Sequence, residues 1–212
     1  MKKILAALLI VFSTSAYAQS PEDRLFEAIE AGKPLVAEGI VAKGNVKLDA
    51  RNAARETPLH RAIEKNYREL AEMLVKAGAP VNARTQTGEA PLHYAALYAD
   101  PYFLDLLLSA KADVRARNDD GESVLQWAVM SGNPLAAKEL LERGADPKVT
   151  DLNGNTLLHA CVDGGFVEMA RAFLSIGVDP RLRNRAGQRP IDIARERGYA
   201  DLVKLLQRFE KE

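Results

Sequence analysis

From Thr57 onward the apolar positions recur in a fixed order every 33 residues. Leucine or isoleucine stands at Leu59, Leu92, Leu125, Leu158 and Ile191. A small residue follows three positions later, at Ala62, Ala95, Ala128, Cys161 and Ala194. A second apolar column runs through Leu74, Leu107, Leu140, Phe173 and Leu206. Glycines punctuate the polar stretches between them, at Gly78, Gly144 and Gly177, and again at Gly88, Gly121, Gly154 and Gly187. Residues three apart share one face of a helix, and a glycine after an apolar run ends a helix by taking positive φ. The pattern therefore predicts two short helices in each period, then a projecting finger. A single unit of this kind cannot bury its apolar face; stacked units make a continuous core.

Local chemistry agrees with this reading. Thr57 and Thr156 are predicted to cap helices by accepting from a backbone N–H one turn on. Pro58 and Pro91 fall at the first helical position, where a missing N–H costs nothing. Small Ala62 lets a neighbouring helix approach closely. Leu70, Leu74 and Val75 mark the buried side of a second helix, and Val81-Asn82-Ala83-Arg84 leads into the Gly88 turn.

The start of each period reads Thr57-Pro58-Leu59-His60, Ala90-Pro91-Leu92-His93, Ser123-Val124-Leu125-Gln126, Thr156-Leu157-Leu158-His159 and Arg189-Pro190-Ile191-Asp192. This resembles the ankyrin repeat, whose signature is a T-P-L-H-x-A run in a 33-residue unit. The resemblance covers Thr57 to Glu212 and extends more weakly back to Pro21 through Leu25-Phe26-Glu27-Ala28-Ile29. Val124 and Leu157 depart from the proline, Lys111 from a turn glycine, and Asp192 from the histidine. The resemblance implies an all-α solenoid of stacked helix-turn-helix units with β-hairpin or loop fingers. Six units are expected, at 21–53, 54–86, 87–119, 120–152, 153–185 and 186–212. The first and last serve as caps. The polar residues Arg195, Glu196, Arg197, Lys204, Gln207, Arg208, Glu210 and Lys211 give the last unit the solvated outer face that a cap needs.

The chain opens differently. Met1 to Ser20 has a basic start at Lys2 and Lys3, an apolar run from Ile4 to Phe12 and a small-residue end at Ala16-Tyr17-Ala18. That is the three-part pattern of a secretory signal peptide, with cleavage expected after Ala18. The run is too short for a stable spanning helix, which takes about 20 apolar residues. The expected location is the periplasm, with no membrane attachment after cleavage. Over all 212 residues, 29 basic side chains balance 29 acidic ones, so no global charge draws the protein to nucleic acid or an anionic membrane. A single cysteine, Cys161, excludes an intramolecular disulfide and a cysteine-rich metal site.

Candidate chemistry is sparse. His60, His93 and His159 occupy one repeat position, where the resemblance implies a hydrogen bond from the imidazole to the neighbouring loop. No metal, cofactor or catalytic group is assigned to them. Cys161 falls in the small-residue column and reads as a core residue. Gly164-Gly165 reads as a helix-to-helix turn, since no strand precedes it. Asp119-Asp120 reads as a solvated finger. A monomeric, non-catalytic binding module is therefore the leading expectation. An inhibitor or immunity protein against a toxin or hydrolase, and an enzyme with an unrecognised pocket, are the alternatives.

In ankyrin-like repeats the binding surface comprises the finger tips and the exposed positions of the first helix. The position after the motif histidine holds Arg61, Tyr94, Trp127, Ala160 and Ile193. With Leu97, Tyr98 and Met130, the residues Tyr94 and Trp127 form a candidate aromatic patch, the residue types that dominate binding hot spots. Trp127→Ala is expected to weaken partner capture without loss of thermal stability. Arg51, Arg84, Arg117 and Arg183 recur in the fingers and suggest a basic stripe for a partner protein with an acidic surface.

Overall fold

The computed structural model describes residues 19–210. The expected signal peptide, Lys211 and Glu212 lie outside the described residues. The rest is twelve helices in six pairs: α1 Pro21–Glu30 with α2 Pro34–Ala42, α3 Pro58–Glu64 with α4 Arg68–Lys76, and α5 Pro91–Ala95 with α6 Tyr102–Ser109. The series continues with α7 Val124–Met130 and α8 Pro134–Glu142, α9 Leu157–Gly164 and α10 Val167–Ser175, and α11 Pro190–Glu196 and α12 Ala200–Glu210. Within the described residues no helix is long and apolar enough to cross a membrane.

The helices are short because the sequence starts and stops each one deliberately. Proline opens α1, α2, α3, α5, α8 and α11, where its fixed φ favours the first turn. The second helix of a pair ends in a left-handed residue: Gly78 at φ +89°, Gly144 at +92° and Gly177 at +84°. Lys111 holds the same position at φ +65°, a conformation that a side chain disfavours.

First helices pack in a row, α1 on α3, α3 on α5, α5 on α7, α7 on α9 and α9 on α11, each also packing on its own second helix. One core runs the length of the stack, from Leu25 and Ile29 through Leu59, Leu92, Leu125 and Leu158 to Ile191 and Leu206. The small-residue column is fully buried where helices meet: Ala62, Ala128, Cys161 and Ala194 are all at 0% exposure. Close approach of the helices leaves room there only for small side chains. The ring of Phe166 lies against Gly132 and Gly164, so closely that a Cβ on either glycine would collide with it.

The fingers are loops. Among the described residues their only β-type pairing is a single antiparallel bridge between Arg117 and Ser123, so the hairpin half of the expectation is not realised. Each finger instead closes by a pair of backbone bonds, as in Asn52 N–H to Glu56 O at 3.0 Å with Arg55 N–H to Asn52 O at 2.9 Å, and Asn118 N–H to Glu122 O at 3.0 Å with Gly121 N–H to Asn118 O at 3.0 Å. Successive fingers are then joined by a backbone bond with constant register: Gln86 to Ala54, Asp119 to Thr87, Leu152 to Asp120 and Arg185 to Asn153, at 2.7–2.9 Å. With so little strand ladder, hydrogen bonds from finger to finger hold the row in line.

Candidate functional site: the groove between fingers and first helices

The motif histidines tie each unit to the next. The Thr57 N–H donates to His60 Nδ1 at 3.1 Å. That nitrogen must therefore be unprotonated, and the imidazole proton sits on Nε2, which donates to the Glu89 carbonyl at 3.2 Å. His159 repeats the arrangement, accepting from Thr156 N–H at 3.1 Å and donating to Gln188 O at 3.0 Å. Burial pushes His60 down to about 4 and lowers His93 and His159 as well, so all three are neutral near pH 7. His93 accepts from Ala90 N–H at 3.1 Å, but its Nε2 points towards the Glu122 carbonyl without reaching hydrogen-bond geometry.

The predicted threonine caps differ in detail. At Ser123 the hydroxyl accepts from the Gln126 N–H at 3.2 Å, as expected of a cap. At Thr57 and Thr156 the hydroxyls lie 2.8 and 2.9 Å from the imidazole Nδ1 instead. Gln126 substitutes for histidine with both ends of its amide: Oε1 accepts from Ser123 N–H at 2.9 Å and Nε2 donates to Asn155 O at 3.2 Å. Asp192, in the last unit, accepts from Arg189 N–H at 3.0 Å and has no donor to offer. No seventh finger follows within the described residues, so an acceptor alone suffices there.

The column after the histidine lies on the groove. Tyr94 and Trp127 are brought together, ring centroids 6.0 Å apart and inclined at 52°. Each also meets the preceding histidine edge-on, Tyr94 at 5.7 Å from His60 and Trp127 at 5.3 Å from His93. The Trp127 indole N–H donates to Glu122 Oε2 at 2.8 Å, and the Tyr94 hydroxyl to Glu56 Oε1 at 3.3 Å. Burial, with the Glu56 charge, raises the Tyr94 phenol well above its usual value. Trp127 is thus a half-buried tie between units. Removing it would cost stability, and the expectation of an unchanged thermal profile for Trp127→Ala gives way to this geometry. Leu97 and Met130, at 47% and 53% exposure, point outward beside the two rings. Tyr98 is tied down, its hydroxyl 2.8 Å from the carbonyl oxygens of both Ile63 and Glu64.

Arg61 is gripped by carboxylates. Its Nε and Nη2 donate to the two oxygens of Glu30 at 2.7 and 3.0 Å; Nη1 meets Glu64 and lies 3.6 Å from Glu56. This pairing raises the guanidinium and lowers the Glu30 carboxyl.

The finger arginines are largely braces. Arg51 Nη1 donates to Arg55 O at 2.6 Å and to Arg84 O in the next finger. Arg117 donates to Gly121 O at 2.8 Å and to Thr150 O in the next finger. Arg183 donates to Gly187 O, and Arg84 pairs with Asp119 at 2.7 Å. Arg51, Arg84 and Arg183 remain exposed, with one guanidinium nitrogen of each engaged by finger carbonyls or by Asp119.

One column escaped the sequence reading. Glu56, Glu89 and Glu122 recur at the position just before the motif. They are held by finger side chains: Glu56 by Asn52 Nδ2 at 2.7 Å, Glu122 by Asn118 Nδ2 at 2.8 Å, and Glu89 by the Thr85 and Thr87 hydroxyls. Their spacing of 33 was the available signal. Downstream, fingers and first helices enclose an open cavity of about 440 Å³ whose lining includes Glu122, Met130, Asp151, Ala160, Asp163 and Ile193. Cys161 stays outside all of this. It is fully buried, and burial pushes its thiol up to about 12, which removes the thiolate that a nucleophile requires.

The family model for ankyrin repeats (three copies) matches residues 25–118, 77–151 and 125–211. These spans take in most of the chain, which belongs to the ankyrin-repeat family. Among solved structures it is similar to the ankyrin repeat domain of Bcl-3, described as a unique member of the IkappaB protein family. The two share 30% sequence identity over 88% of this chain and 85% of that chain, with a TM-score of 0.73. No curated protein matches the chain significantly.

Proposed function

We propose that this protein is an exported, periplasmic, non-catalytic module that binds another protein through the groove, as an accessory or protective factor for an envelope enzyme. Ankyrin repeats are protein-interaction modules, which supports a binding role. The observation that carries the site is the strip formed by Leu97 and Met130 beside the Tyr94–Trp127 pair. Two large apolar side chains stand about half exposed there, next to rings held by tilted and edge-on aromatic contacts and by Glu56 and Glu122. A rigid aromatic-apolar surface loses little conformational entropy on docking. The export reading rests on the leader pattern of residues 1–18 alone.

The test is affinity capture on the tagged, purified chain from an envelope extract, with Leu97→Ser/Met130→Ser as the matched control. A protein retained by the parent and lost with the control supports the reading. Identical retention on both surfaces contradicts it. Activity of the captured protein then separates a protective factor, which preserves turnover, from an inhibitor, which abolishes it at equimolar ratio.

A further inference from the structure

The two ends of the stack are finished differently. At the C-terminal end, registers that the fifth unit buries as Val162 and Leu174 hold Arg195 and Gln207, both exposed. That is the polar outer face a terminal unit needs. At the N-terminal end no such replacement is made. Val36 is the third residue of α2, the place that Leu70 takes in α4. From Leu70 the register runs every 33 residues through Phe103, Ala136, Met169 and Leu202, all buried. Leu202, in the last unit, is 1% exposed, whereas Val36, in the first, is 52% exposed. A register covered in the last unit and open in the first faces the preceding unit. Among the described residues nothing precedes the first unit, so Val36 stands at an unfilled stacking position.

α2 is apolar on its outer side as well as its inner one. Ala37, Ile40 and Val41 enter the core, while Leu35, at 79% exposure, joins Val36, Gly39 and Ala42 on the outer side. Glu38 is the one charged residue of the helix. A helix that is apolar all round is ordinarily buried. Gly39 lies midway along the outer side. A Cβ there would meet nothing within 4 Å, so no neighbour among the described residues calls for glycine, which weakens a helix interior. It leaves bare backbone on which another helix can close.

We propose that this end of the stack pairs with the same end of a second copy of the chain, α2 crossing α2 about a twofold axis near Gly39. The contact continues the stacking interface that already runs through the molecule, a second first unit taking the place of a predecessor. The copy offers its N-terminal end because a head-to-tail contact would set Arg195 and Gln207 against Leu35 and Val36. An isologous contact matches apolar with apolar and closes at two copies. One helix pair a side is a small surface, so the association is weak and reversible. The strip of Leu97 and Met130 belongs to the third and fourth units and stays open in the pair. The monomer expected from the sequence becomes the dilute state of this equilibrium.

Sedimentation equilibrium of the purified chain, from about 1 µM to about 1 mM, reads the association directly. The parent is expected to pass from monomer to dimer and no further. Leu35→Ser/Val36→Ser should weaken the dimer by about tenfold or more, with circular dichroism like that of the parent. Gly39→Lys and Gly39→Glu, placed in open space, should each be monomeric alone and form a mixed dimer when combined, because the two side chains meet at the axis. A parent that stays monomeric throughout would overturn the proposal, whatever lipid surface or other protein α2 then engages. So would assembly beyond the dimer, undiminished association of the serine variant, or charge variants that do not pair when mixed. Partner capture dependent on Leu97 and Met130 is read separately, so the dimer can fail while the groove reading stands, and the reverse.

Discussion

His159 donates its Nε2 proton to the carbonyl oxygen of Gln188, 29 residues ahead, at 3.0 Å. The same offset joins His60 to Glu89 and Gln126 to Asn155, both at 3.2 Å. A side chain at this position needs an acceptor at one end and a donor at the other. Neutral imidazole and carboxamide have both; carboxylate has only the first. His159→Gln should therefore shift stability by no more than about 1 kcal/mol, whereas His159→Ala should cost about 2–4 kcal/mol through lost bonds and a cavity. Urea unfolding measures both. Glutamine proving as damaging as alanine would refute the two-ended requirement.

The neutral imidazoles make stability pH-dependent with a defined sign. An unfolded His60 titrates near 6.5 and the folded one near 4. Between these values the unfolded chain binds the extra proton, so stability falls as pH drops from 6.5 towards 4 and is fully present above 6.5. His93 and His159, also lowered by burial, act in the same direction. The His60 contribution is on the order of 3 kcal/mol. Melting temperature followed from pH 7.5 to 4.5 should decline with a slope that flattens in His60→Gln. A parent and variant with parallel profiles would show that folding leaves the titration of His60 unchanged.

Lys111 occupies a helix-ending position in left-handed conformation, φ +65°, where Gly78, Gly144 and Gly177 stand in other units. Lys111→Gly relieves the side-chain penalty of about 1–2 kcal/mol and gives back part of it as unfolded-state entropy. The net gain should be about 0.5–1 kcal/mol. Thermal unfolding of the variant reads it, and a lowered midpoint would mean that the lysine side chain makes a compensating contact.

Much of this architecture can be read from residue order. The leucine and alanine columns are short-range signals, three residues apart on one face, and their recurrence from Leu59 and Ala62 to Ile191 and Ala194 requires stacking. The aromatic pair was legible for the same reason: Tyr94 and Trp127 hold one register position in adjacent units. What the register could not show was how far each side chain sinks. Trp127 is half-buried because Glu122 captures its indole N–H and His93 packs on its ring. The finger arginines looked like a free stripe because sequence reveals their charge and not the carbonyls of Arg84 and Thr150 that lie within their reach. The carboxylate column of Glu56, Glu89 and Glu122 was present at the same spacing and went unread, since solvated finger residues of mixed type surround it.

Binding through the groove is tested most directly by the affinity of the captured partner for a groove altered only at its exposed positions. Leu97 and Met130 are about half exposed, so Leu97→Ser/Met130→Ser removes binding surface with little loss of core. Calorimetric titration of the partner into this variant should show affinity weaker by about thirtyfold, the equivalent of a 2 kcal/mol hot spot, with the unfolding midpoint close to that of the parent. Parent-level affinity in a correctly folded variant would place the interface elsewhere on the molecule and contradict the groove as the binding surface.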